Sequence, residues 1–343
     1  MTPALATGTA RLHRVVVERF DVAGAFTISR GAKRHVDVVL CEVTDGVHVG
    51  RGEGTPIYYH GETAEGCAAA IAEIGGQGGA LTREELRGAM PPGAARNALD
   101  CALWDMEAQR TGRPVWDLAG LVRPEPVRTA YTISLGEPES MAEATRAAWG
   151  SGFTLLKCKL TGEGDRMRIV AIRRAAPDAD LVVDANESWA GLDLGAESAA
   201  LADLGVSLIE QPLPAGADEA LARLAPALPI CADESCQSLA DLDGLRGYQA
   251  INIKLDKAGG LTEALAMAHA ARSMGLRIMV GCMLASSLGI APAVLLAQFA
   301  DWVDLDGALL LASDRDQSLH VVDGLLHPGT LWGEPRNNQG LSA

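Results

Sequence analysis

No stretch of this 343-residue chain reaches the ~18 consecutive apolar positions that a membrane-spanning helix needs. The opening MTPALATGTARLHR has no basic segment leading into an apolar one, so a secretory leader is not expected. Positive charge is scarce: 29 Lys and Arg stand against 44 Asp and Glu, a formal charge of −15. A general basic footprint for nucleic acid is therefore missing, and a local cluster of bases is informative against that background. There is no C-x-x-C, and the seven cysteines (Cys41, Cys67, Cys101, Cys158, Cys231, Cys236 and Cys282) are scattered and odd in number. That pattern speaks against a disulfide framework and reads as reduced, buried thiols in a cytoplasmic protein.

What is present is enough apolar material, 48% of residues, and enough length for a barrel plus a cap. The first third reads as α+β. HRVVVERFDV and HVDVVLCEV are strand-like, and Thr44-Asp45-Gly46 turns the chain into VHVGRGEG. Thr82-x-x-Glu85 is a capping box that opens a helix. A second helical pattern from about Ala94 carries Ala98, Ala102, Leu103 and Met106 on one face and stops at Gly112.

Near Val127 the rhythm changes. Eight short apolar runs (RTAYTISLG, TLLKCKL, LVVDAN, VSLIEQP, LPICADE, AINIKLD, RIMVGCM and WVDLDG) alternate with helical stretches up to about residue 312. That alternation predicts a parallel barrel of βα units. The division expected is an α+β cap over 1–126, a barrel over 127–312, and a tail over 313–343 that returns to the cap.

Polar residues interrupt the runs near their C-terminal ends: Lys159, Asp184, Glu210, Asp233, Lys254 and Asp304. The first five are 25, 26, 23 and 21 residues apart, about one βα unit each, so they converge on one mouth of a closed barrel. Asp184, Glu210 and Asp233 would repel one another unless a cation neutralised them. Three oxygen donors suit Mg²⁺ or Mn²⁺ rather than Zn²⁺. Lys157 and Lys159 share one face of the second strand, and Lys254 lies on the sixth, across the ring. A nearby ammonium and a metal are expected to lower a lysine's pKa and free it as a base. A cation between two opposed lysines would stabilise the enediolate formed when a proton leaves the carbon beside a carboxylate. Bases on both faces of that carbon permit epimerisation.

With these residues in place, the sequence resembles the muconate-lactonising-enzyme subgroup of the enolase superfamily. The motifs are Lys157-Cys158-Lys159, Asp184-Ala185-Asn186, Glu210-Gln211-Pro212, Asp233-Glu234-Ser235 and Lys254-Leu255-Asp256. More narrowly it is similar to dipeptide epimerases of the L-Ala-D/L-Glu type, through PPGAARNALDCALWD, LPICADESC, INIKLDKAGGLTEAL and GCML, which together span nearly the whole chain. The resemblance implies an α/β fold, a modified (β/α)7β barrel of TIM type with an α+β capping domain. It implies Mg²⁺ on Asp184, Glu210 and Asp233, Lys159 and Lys254 as acid/base pair, and Lys157 modulating Lys159. It implies Asp304 and Asp306 as ligands of the substrate's α-ammonium, and a substrate wall that includes Cys282 and Met283.

The basic segment Ser29–His35 is expected to cover the mouth as a loop, with Lys33 the best-placed cation for an acidic substrate side chain and Arg30 and Arg34 nearby. The expected partner is a small dipeptide, without nucleic acid or membrane, and a homo-oligomer is left open. Cell-wall peptide recycling would suit such an activity. Other reactions of the superfamily stay as alternatives: N-acyl amino acid racemisation, muconate-type cycloisomerisation and succinylbenzoate synthesis.

Overall fold

Residues 10–76 and 82–336 are described by a computed structural model; most of the segment read for a leader and the end of the tail lie outside them. β1 (Arg11–Ile28) and β2 (Gly31–Thr44) form an antiparallel hairpin, and β3 (Val49–Gly54) pairs with the other edge of β2. Both long strands exceed the alternating runs seen in the sequence. After an irregularity between Asp21 and Phe26, pairing resumes at Phe26–Lys33 and continues to Ile28–Gly31. The basic segment is thus a β-hairpin tip held by its own ladder rather than an irregular loop, because pairing satisfies its backbone polar groups.

Helices α1 (Ala64–Gly76) and α3 (Ala94–Thr111) cover one side of this sheet, and α2 (Arg83–Ala89) packs on α3. The Thr82 hydroxyl accepts the Glu85 N–H at 3.2 Å and caps α2, but the Glu85 carboxylate accepts from the Thr82 hydroxyl rather than from its backbone N–H, so only half of the expected capping box forms. The alternate glycines of VGRGEG have a packing reason. A Cβ on Gly50, Gly52 or Gly54 would fall 2.1–2.2 Å from the carbonyl oxygens of Ala102, Ala98 and Ala94, so β3 can lie directly on the alanine stripe of α3 only without side chains.

β4 (Val127–Arg128), at the entry to the barrel domain, joins neither the cap sheet nor the eight-stranded sheet; it pairs with the tail. The barrel strands are β5 (Tyr131–Ile133), β6 (Leu155–Lys159), β7 (Asp180–Asp184), β8 (Val206–Glu210), β9 (Ile230–Ala232), β10 (Ala250–Lys254), β11 (Arg277–Gly281) and β12 (Trp302–Asp304). They are parallel and neighbour one another in chain order. The ends meet where Ala130 N–H donates to Val303 O at 2.7 Å. Four crossovers carry full α-helices: Pro138–Gly150, Asp165–Ala175, Leu194–Asp203 and Leu261–Ser273. Those after β8 and β9 are short 3-10 turns, Glu219–Arg223 and Leu239–Gly244. After β12 only a 3-10 turn precedes the tail, which is the modified barrel expected.

In the tail, β13 (His320–Val322) and β14 (Leu325–His327) form a hairpin whose second strand pairs with β4. Beyond it the chain runs back to α3: Trp332 Nε1 donates to Cys101 O at 3.1 Å, and Gly333 N–H to Asp105 at 2.9 Å.

Inside the ring, Ala130, Leu155, Val182, Leu208, Cys231, Ala250, Met279 and Trp302 form one buried apolar layer, a residue from each strand or its start. The next inward positions, two residues on, are Lys157, Asp184, Glu210, Asp233, Asn252, Gly281 and Asp304. The barrel therefore changes from hydrocarbon to charge within one pleat, and the apolar layer is a dry floor beneath the polar one.

Candidate active site

The polar layer opens into a cavity under the hairpin tip. Lys157, Lys159, Asp233, Lys254, Cys282, Met283, Asp304 and Asp306 line it, with Arg30 and Lys33 from the tip. The deeper Asp184 and Glu210 are buried beneath and reach it through the lysines. Arg34 faces a separate groove on the cap.

Lys157 is the hub of the floor. Its Nζ lies 2.7 Å from Glu210, 2.8 Å from Asp304 and 3.3 Å from Asp184. Lys159 Nζ donates to Asp184 Oδ2 at 2.6 Å, so both lysines of the pair share that oxygen. On the opposite wall Lys254 Nζ donates to Asp233 Oδ2 at 2.6 Å. β6 and β10 are four places apart in an eight-strand ring, so Lys159 and Lys254 face each other across the cavity.

The charges set one another's state. Burial works to raise Asp184, but Lys159 and Lys157 outweigh it and hold the carboxyl at about 2. Burial and the Asp184 charge push Glu210 up to about 7. Lys254 differs from its sequence-based expectation: burial favours its neutral form, but the Asp233 carboxylate prevails and raises it well above the ordinary value. Burial and Asp304 push Asp306, which accepts the Thr132 N–H at 2.6 Å, up to about 7.

Among the described residues no group of acidic, His or Cys side chains already stands in a metal-holding cluster. Each acid is turned onto a lysine, the nearest counter-charge. The donor chemistry nevertheless fits a hard divalent cation. Three carboxylates come from adjacent strand ends. Glu210 Oε2 and Asp233 Oδ1 are buried without a hydrogen-bond partner. Both lie within 2.7 Å of a lysine nitrogen; the misaligned contacts neutralise charge but leave lone pairs unused.

Several supporting residues had no role assigned from the sequence, although some stand in its motifs. Asn252 Nδ2 donates to Glu210 Oε1 at 2.8 Å; it shares the Lys254 face of β10, so strand alternation could have found it. Lys257, fully buried, sits 2.6 Å from Asp233 Oδ1 and also donates to three backbone carbonyls. Asn186 and Gln211 follow acidic strand ends with φ of 42° and 35° and bend the chain off the barrel. Gln211 Oε1 then accepts the Asp233 N–H at 2.8 Å. Tyr58 and Tyr59 enter the cavity from the cap with no signal in the sequence.

At the tip, Arg30 is occupied. It pairs with Glu187 at 2.5 Å and with Glu234, and donates to the Tyr58 hydroxyl at 3.2 Å. The expectation that it offers a free cation to substrate is corrected: it ties the hairpin to the strand ends after β7 and β9. Lys33 has no carboxylate partner among the described residues and lies 4.1 Å over the Tyr58 ring. Burial and the Arg30 charge draw it down to about 8. Cys282 Sγ donates to Asp304 O at 3.3 Å, and burial holds its thiol well above the usual range, which suits a wall rather than a nucleophile.

A parallel barrel with lysines facing each other over three strand-end acids is the architecture of the enolase superfamily. The chain belongs to the mandelate racemase / muconate lactonizing enzyme family: residues 11–120 match its N-terminal domain and residues 140–333 the enolase C-terminal domain-like model. L-Ala-D/L-Glu epimerase of Escherichia coli (strain K12) is 46% identical over 319 residues, 92% of this chain and 99% of that protein. N-acetyl-D-glutamate racemase of a Pseudoalteromonas species is 46% identical over 258 residues, 74% of this chain and 81% of that one. A crystal structure of an enolase family member from Agrobacterium tumefaciens, with homology to dipeptide epimerases, holds sodium, L-Ala-L-Glu and an ordered loop. It is 50% identical with a TM-score of 0.90, covering 94% of this chain and 100% of that one.

Proposed function

We propose that this chain is an isomerase, a dipeptide epimerase that inverts the α-carbon of the C-terminal residue of L-Ala-D/L-Glu. The observation that carries this reading is the placement of Lys159 and Lys254 on opposed walls above one acid floor. Asp184, Glu210 and Asp233 would hold Mg²⁺, with Mn²⁺ the alternative. A divalent cation there would supply positive charge to the substrate carboxylate. Lys159 and Lys254 take and return that proton on opposite faces. Lys157 neutralises the floor and tunes Lys159 through their shared Asp184 oxygen. Asp304, with Oδ1 buried and unpartnered, and Asp306 receive the substrate's α-ammonium. Lys33, unpaired by any acid among the described residues, receives the glutamate side chain, and Cys282 and Met283 close the wall. We assign residues 1–126 with 313–343 to the cap and 127–312 to the barrel, and place the enzyme in the cytosol. No helix among the described residues is long and apolar enough to cross a membrane.

A second reading, N-acylglutamate racemisation, draws support from the Pseudoalteromonas relative and from the Lys157 ion pair already held by Asp304. Ala-Glu and N-acetylglutamate share a glutamate with an acylated nitrogen, and the alanyl group adds one carbon bearing the free ammonium.

The test follows α-proton exchange in D₂O by NMR, with each epimer supplied separately. Lys159→Ala should keep exchange for one epimer of Ala-Glu and Lys254→Ala for the other, while neither interconverts them. If either variant still interconverts the epimers near the wild-type rate, the two-base assignment fails. Equal turnover of L-Ala-L-Glu and N-acetylglutamate would favour the second reading.

A further inference from the structure

Two tyrosines from one 3-10 turn of the cap, Tyr58–His60, line the cavity, and their hydroxyls are in opposite states. The Tyr58 hydroxyl accepts the Arg30 Nε–H at 3.2 Å. The Tyr59 hydroxyl is buried and has no hydrogen-bond partner. Buried polar groups are rarely left so, and this one cannot swing away to find water. The ring is packed edge-on against Tyr58 at 5.3 Å and His60 at 4.8 Å, with the Arg30 guanidinium 5.0 Å over its face. The turn itself is closed by backbone bonds from His60 N–H to Ile57 O and from Gly61 N–H to Tyr58 O.

The carboxylates on this side of the cavity each spend one oxygen on a cation, while Asp233 Oδ1 and Glu234 Oε2 stay without a hydrogen-bond partner and none of the four oxygens takes the Tyr59 hydroxyl. Asp233 Oδ2 takes the Lys254 ammonium and Glu234 Oε1 takes Arg30. Burial holds the Tyr59 phenol well above its usual range, and the Asp233 carboxylate adds to the rise while Lys254 opposes it. As a phenol it is a neutral O–H donor at ordinary pH, lining the same cavity as Asp233 and Lys254 and without an acceptor. A carboxylate is acceptor-only, and the substrate carboxylate must reach this corner to approach both the Asp233 end of the floor and Lys254.

We infer that the Tyr59 hydroxyl contacts the substrate directly, donating a hydrogen bond to the carboxylate on the carbon being inverted. This rests on the activity proposed above and adds to it a donor from the cap. As the proton leaves, negative charge grows on that carboxylate, so the bond strengthens on the way to the transition state and accelerates the step. The stabilised charge is the same whichever face is deprotonated. Loss of the hydroxyl should therefore slow both directions alike.

The test is Tyr59→Phe, which keeps the ring and removes one oxygen. The kcat for Ala-Glu should fall about 10- to 100-fold with KM changed much less. Exchange of the α-proton in D₂O should slow by a common factor for both epimers, with melting temperature and Mg²⁺ affinity unchanged. Slowing for one epimer only would mean that the hydroxyl acts through Lys254, and the inference falls. It falls equally if kcat is unchanged, with or without a rise in KM. A wild-type enzyme that exchanges no α-proton from Ala-Glu or N-acetylglutamate would overturn the activity itself and this contact with it; the silent wild type tells that case apart.

Discussion

The floor and the roof of the cavity are built on different mechanical terms. Floor charges sit on strands of three to five residues, mostly paired on both sides, at the end of a buried apolar layer. Roof charges sit on a hairpin tip docked by a few long-range contacts: Arg30 on Glu187 and Glu234, and Ser29 Oγ to Asn186 O at 3.2 Å. A floor residue cannot move without leaving an opposite charge buried and unpaired, which is severely costly. A roof residue can be exchanged at the cost of local contacts. On the function proposed above, the difference divides the labour: proton chemistry below, selectivity above.

Attacking the floor should give the largest effect. Removing divalent metal with EDTA should abolish epimerisation and Mg²⁺ should restore it. Glu210→Gln should lower kcat by about 1,000-fold while circular dichroism shows a folded protein. Full turnover by metal-free enzyme would break the comparison at its base.

The roof should answer with substrate-selective losses. Lys33→Ala should reduce kcat/KM for L-Ala-L-Glu by about 10- to 150-fold, the worth of one charge-assisted contact of about 1.5–3 kcal/mol. L-Ala-L-Leu should be nearly indifferent. A parallel loss on both dipeptides would place Lys33 in the common machinery and erase the division.

The smallest effect expected is a pH dependence confined to acidic substrates. Burial and Arg30 draw Lys33 down to about 8, and only its protonated form attracts a side-chain carboxylate. The advantage of L-Ala-L-Glu over L-Ala-L-Leu should therefore be full below that pH and shrink as pH rises through about 8. In Lys33→Ala the ratio of the two kcat/KM values should be flat over this range. A ratio that falls in both enzymes would assign the titration to another group.

Legibility followed the same boundary. The eight barrel runs, the Gly112 stop of α3 and the Thr82 cap were readable because each rests on local periodicity or a local hydrogen bond. The 3-10 crossovers after β8 and β9 were not distinguished from helices, since a short connector has too few residues to show a period. The basic segment was visible as a cluster but not as a hairpin tip, because its pairing resumes after the break at Asp21–Phe26.

By itself the sequence determined which side chains face the barrel axis. In a strand of period two, placing Leu155 inward places Lys157 and Lys159 inward as well, and a repeat of one βα unit carries Asp184, Glu210, Asp233 and Lys254 to the same mouth. Only the tertiary structure decided which ammonium each carboxylate takes, that Arg30 is consumed by acids 157 and 204 residues away, and that Tyr59 ends with a buried hydroxyl and no partner. The reason is physical: orientation along a strand is set by neighbouring residues, whereas pairing across a cavity depends on distances that do not exist until the ring has closed and the hairpin has docked over it.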